Sequence, residues 1–211
     1  MRLQYLLGAI GLLISVNTAA LATEDEGHLD TTSAEVQRLE NELISLAERQ
    51  HWAGVDRTYN RLLEASPDNI SYDSHRAAAD AARNSGDISA TLIRLTHAIT
   101  LYAADPLTDE MDRSLFQELE SQFSDVEITT WPISTANLRY VGIMPFQPDK
   151  RLQIERAMAE LSENGSFTGM LPNGDYIVDD REFTVVSGAR VVIELADTSA
   201  LQRRMNLDYR R

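Results

Sequence analysis

The sequence predicts an α+β protein in which a helical half precedes a small β-rich half with one inserted helix. Three observations predict it. Apolar residues recur at steps of three and four from Thr32 to Phe123. From Asp125 onward they alternate with polar residues instead. The run Ser166-Phe-Thr-Gly-Met-Leu-Pro-Asn-Gly-Asp-Tyr-Ile-Val178 combines β-formers with dense turn chemistry.

The first 22 residues read as an export signal. Arg2 gives a short positive region, Leu6 to Val16 an apolar run, and Ala20-Leu21-Ala22 a small-x-small cleavage site. That run is shorter than the roughly 20 apolar residues needed to span a bilayer. Cleavage is therefore expected to release a protein without a transmembrane segment. Residues 23–31 are acidic and aperiodic, and are expected to form a disordered lead.

The helical domain is placed at residues 32–124. Thr32-x-x-Glu35 has the form of a capping box, and Val36, Leu39, Leu43 and Leu46 then trace one apolar face. A second helix carries Trp52, Val55, Tyr59 and Leu62, and ends before Pro67 because the residue preceding proline leaves the α region. The third, His75 to Asn84, is rich in alanine, so a neighbouring backbone can approach it closely. Ser85-Gly86-Asp87 reads as a stop and restart, with glycine past one helix end and aspartate capping the next. Ile88, Leu92, Leu95, Ile99 and Tyr102 form the fourth stripe, and Leu115, Leu119 and Phe123 the fifth. Helical pairs with short loops, repeating roughly every 34 residues, suggest a solenoid.

The β module is placed at residues 125–196. Val126 and Ile128 begin it, Leu138 to Met144 follows, and Pro148-Asp149 opens an amphipathic helix that Asn164-Gly165 ends. Strands are expected at Ser166–Met170, Asp175–Val178, Glu182–Val186 and Arg190–Leu195, with Ser187-Gly188 turning a final hairpin. The expected interior is Ile128, Leu138, Phe167, Tyr176, Phe183, Val185, Val191 and Ile193. Residues 197–211, with Leu201, Met205 and Tyr209 at four-residue spacing among four arginines, are read as a frayed tail, with a short docking helix as the alternative.

Charge and chemistry narrow the function. A net charge of −14 repels nucleic acid and anionic lipid surfaces, so neither is expected as a partner. Cysteine is absent, which removes disulfides, thiolate nucleophiles and thiolate metal sites. His28, His51, His75 and His97 have no zinc spacing, and His28-x-Asp30 is read as solvated tail. Phosphate-binding glycine loops and nucleophile elbows are missing, so neither a cofactor nor a catalytic residue is assigned. Asp179-Asp180 with Glu182 could hold a hard cation, but Arg181 opposes it and the pair suits a turn.

The Ala-rich helix, Gly86-Asp87-Ile88, Leu95 and Ala98-Ile99 resemble a tetratricopeptide (TPR) repeat, and Trp52, Tyr59, Leu62 and Pro67 a looser one. Gly169-Met-Leu-Pro-Asn-Gly-Asp-Tyr-Ile-Val178 with Phe183-Thr-Val185 resembles PEGA-like and carboxypeptidase-regulatory-like β modules. The layout as a whole resembles exported TPR proteins of myxobacterial type. These resemblances imply TPR-like hairpins followed by a small antiparallel β-sandwich-like module, a periplasmic or surface location, and binding rather than catalysis. They place Gln37, Glu40, Glu48, Arg76, Asp80 and Arg83 on a groove that receives another envelope protein. The alternative partner is wall or surface polysaccharide, stacked on Trp131, Tyr140 and Phe146.

Overall fold

The computed structural model describes residues 23–101, 106–131 and 136–196. Residues 1–22, read above as an export signal, Tyr102 and the tail lie outside the described residues. Five helices come first: α1 (Thr23–Glu48), α2 (Trp52–Ala65), α3 (Tyr72–Asn84), α4 (Ile88–Leu101) and α5 (Pro106–Gln122). The β half then runs β1 (Phe123–Trp131), β2 (Leu138–Tyr140), α6 (Pro148–Asn164), β3 (Ser166–Pro172), β4 (Gly174–Val178), β5 (Arg181–Val185) and β6 (Val191–Ala196). The fold is mixed α+β, helices first, with α6 inserted between strands.

Residues 23–31 are helical, and Thr32 lies inside α1 rather than at its start. Leu39 and Leu43 of α1 bury against Val55, Tyr59 and Leu62 of α2 and Ala78 and Ala81 of α3. Removing one such buried leucine side chain costs about 2–5 kcal/mol.

The α3–α4 corner forms as its sequence dictates. Gly86 takes φ +76°, and the Asp87 N–H donates to the Ala82 carbonyl at 2.8 Å, closing the end of α3. Asp87 Oδ1 then accepts from the Ala90 N–H at 2.9 Å, capping α4. Phe123, expected at the end of the fifth helix, instead opens β1 opposite Pro172. It is buried with Ala79, Ile88, Leu95 and Leu119, so one cluster joins helices to sheet.

The six strands form two sheets, ordered β3-β1-β6 and β2-β4-β5. Chain direction departs from an all-antiparallel module: β6 runs parallel to β1, with Val126 opposite Val191 and Ile128 opposite Ile193. Ser187-Gly188 therefore lies in a crossover between sheets, not in a hairpin. Ser124 Oγ donates to the Val186 carbonyl at 2.8 Å and ties that crossover to β1. The single residue Asn173 carries the chain from β3 in one sheet to β4 in the other. The second strand stops at Tyr140, short of the expected Met144. All eight side chains expected inside do pack in one core, six buried and Phe183 and Val191 partly so. From α6, Ile154, Ala157 and Leu161 complete it.

Gly86 sits where the two halves meet. A Cβ there would lie 2.8 Å from both the carbonyl carbon and the oxygen of Leu152, in α6. Gly188 has a similar φ of +74° but open space around it. Gly86→Ala should therefore destabilise by about 2–3 kcal/mol, and Gly188→Ala by about 1 kcal/mol. Urea unfolding of the two variants measures the difference, which isolates the close approach from the backbone cost.

Candidate functional site

The face of α3 that the repeat pattern assigns to a partner is occupied from within the chain. Arg76 Nε donates to Asp112 Oδ1 of α5 at 2.7 Å, and its Nη1 meets Asp80 one turn along. Tyr72 Oη donates to the other oxygen of Asp112, also at 2.7 Å. Asp112 is itself buried, so these partners offset the cost of removing its charge from water. Burial and the adjacent carboxylate both push the Tyr72 hydroxyl pKa upward.

Arg83, one turn beyond Asp80, reaches the β half. Its Nε and Nη2 both donate to Asp149 Oδ2 of α6, at 3.0 and 2.6 Å. Arg156 of α6 pairs in turn with Asp87, the cap of α4. Between these ion pairs the Ile88 N–H donates to the buried Gln153 Oε1 at 3.1 Å. A side chain from α6 thus satisfies an N–H that α4 leaves without a helical partner.

The remaining predicted groove residues divide. Glu40 accepts from the Ser71 N–H at 2.7 Å and the Ser74 hydroxyl at 3.2 Å, linking α1 to the start of α3. Gln37 and Glu48 are exposed on α1. Behind this face lies a buried polar cluster. Tyr59 Oη and His75 Nδ1 share a hydrogen bond of 2.8 Å, and His97 packs edge-on to His75 with ring centroids 5.1 Å apart. The Arg94 guanidinium lies 4.7 Å above the Tyr59 ring and donates to Asp56 and to the Ala78 carbonyl.

The predicted aromatics are scattered in environment. Tyr140 is half-buried and packs edge-on to Tyr176 at 5.2 Å. Phe146 is 93% exposed, in the loop between β2 and α6. Trp131 ends β1, and its side chain lies outside the described residues. Asp179 turns the β4–β5 connection with φ +50°, and its carboxylate accepts from the Asn137 N–H at 2.9 Å.

Two apolar surfaces were not singled out from the sequence. Leu107, Met111, Leu115 and Leu119 recur every four residues along α5. Leu119 is buried, but Leu107 and Met111 are each 66% exposed, and Ile93 and Leu101 of α4 are also exposed. The signal was present, because the stripe starts a full turn and more before the part that packs. The second surface is the loop carrying Ile143 and Phe146. A cleft of about 340 Å³ separates Ser89 of α4 from Asp125, Glu127 and Arg190, and the last two pair at 2.7 Å. Comparison with protein-family models, curated proteins and solved structures returned no match.

His75 generates a prediction. It is 4% exposed, and burial first, then the nearby His97, pulls its pKa down to about 4 from 6.5, with Glu40 acting the other way and Arg94 adding to the fall. The folded pKa is below the unfolded one, so the unfolded chain takes up the proton first. Stability is then intact above about pH 6.5 and is lost as pH falls toward 4. The loss attributable to His75 should be about 2–3 kcal/mol. Chemical denaturation across that range checks it, since His75→Phe should flatten the profile by that amount.

Proposed function

We propose that this protein is a non-catalytic, exported scaffold or adaptor that binds another envelope protein through its helical half. One observation carries the reading: the apolar stripe of α5 is buried at Leu119 and open to solvent at Leu107 and Met111. With Ile93 and Leu101 of α4, it leaves four large apolar side chains exposed on successive helices. Apolar patches of this kind mark association surfaces, because water is released when a partner covers them. The resemblance to TPR hairpins and the export signal support the same reading.

The charged face of α3 plays a different part in this proposal. Its arginines hold α5 and α6 in place, so the partner is received on α4 and α5 instead. An apolar face on the partner, such as one side of an amphipathic helix, is the matching chemistry.

A photo-reactive residue at Met111 should yield a discrete crosslinked adduct in intact envelopes, whereas one at Gln37 should not. Leu107→Asp with Met111→Asp should abolish that adduct while shifting stability by no more than about 0.5 kcal/mol, since both side chains are exposed. A Met111 probe that gives no adduct, or an adduct unaffected by the aspartates, overturns the proposal.

A further inference from the structure

We infer that the loop from Val141 to Gln147 inserts into a lipid interface and seats the β half against a membrane surface. This goes beyond the protein-binding role and rests on a different part of the molecule. Val141, Ile143 and Phe146 are 46%, 83% and 93% exposed, three large apolar side chains within six residues.

The loop is held from below while its tip stays open. The Val141 N–H donates to the Asp175 carbonyl at 2.8 Å, and Met144 packs against the β core. Pro148 fixes the other end as the first residue of α6. Gly142 takes φ +107°, with nothing within 4 Å of where a Cβ would be. Anchoring at both ends lowers the conformational entropy lost on insertion.

The exposed apolar side chains of the tip and the basic residues flanking it favour lipid over a protein pocket. A bilayer interface accepts exposed apolar side chains without a complementary cavity, and an aromatic ring suits the headgroup boundary. Lys150, the sole lysine of the chain, and Arg151 follow the loop on α6, and Arg139 precedes it. Asp149, the acidic residue between loop and Lys150, is already paired with Arg83. Arg151 lies 3.7 Å from Glu155, with both side chains about half exposed, a contact that lipid phosphate can replace. Asp175 and Glu182 lie on the sheet face beside Val141, so the cationic flank is the α6 side. The overall charge of −14 opposes distant approach to an anionic surface. It is screened beyond about 8–10 Å, which leaves the contact charges to decide.

The chain has no cysteine, so Gln147→Cys accepts a single environment-sensitive fluorophore in the full-length protein, and Gln37→Cys provides a distant control. Vesicles of phosphatidylcholine, with and without phosphatidylglycerol, are the probes. Emission at position 147 should shift to the blue with both vesicles, and emission at position 37 should not. Phe146→Ser should weaken partitioning about tenfold, and adding Ile143→Ser should weaken it further. Lys150→Glu with Arg151→Glu should weaken binding chiefly to the phosphatidylglycerol vesicles. Unchanged thermal melting will show that these exposed positions leave the fold intact. Silence at position 147 with both vesicles, or partitioning indifferent to the serines, overturns the inference. So does a loop that crosslinks an envelope protein while ignoring lipid.

Discussion

The docking of α6 onto the α3–α4 corner is the constraint on which the rest of the molecule depends. One face of α6 presents Ile154, Ala157 and Leu161 to the sheets. Another presents Asp149, Leu152, Gln153 and Arg156 to the helices. The contact is close because position 86 lacks a side chain, and specific because Gln153 supplies the acceptor that Ile88 needs. Two ion pairs flank that hydrogen bond, so the helix has little freedom to slide or rotate. The halves consequently form one body, reinforced by Phe123 and Met170 packing against α3, α4 and α5.

The same economy governs charge. In an acidic chain, arginines are scarce relative to carboxylates, and several are spent on internal joints. Arg76 joins α3 to α5, Arg83 joins α3 to α6, and Arg94 joins α4 to α2. Each of these pairs is partly buried, where breaking one partner leaves a charge without compensation. Such residues position helices, and their geometry leaves little of them for an outside ligand.

Several large apolar side chains also remain outward. The exposed parts of α4 and α5 lie on the helical half, while the Ile143–Phe146 loop lies on the β half. The Arg83–Asp149 and Arg156–Asp87 ion pairs and the Gln153 hydrogen bond join the two halves directly. The proposed scaffold role is served by such a direct joint, which a flexible linker would not provide.

Local structure was legible in the sequence because neighbours along the chain determine it. Apolar spacing marked the helices, Gly86-Asp87 marked the corner, Pro148 and Gly165 bounded α6, and alternation picked out eight of the core positions of the β half. The helical start before Thr32 was missed, because a polar segment without apolar period gives no sign of continuing a helix. Ser187-Gly188 suggested a hairpin, since turn residues reveal a change of direction but not which strand comes next. Pairing β6 with β1 depends instead on burying Val191 and Ile193 from the other sheet. The groove residues were identifiable as polar and helical, but their partners were not. Arg83 and Asp149 are separated by 66 positions, and any of 33 acidic residues offers the same chemistry on paper. Sequence determined what each segment is; only the folded chain decided which charges meet and which apolar side chains stay in water.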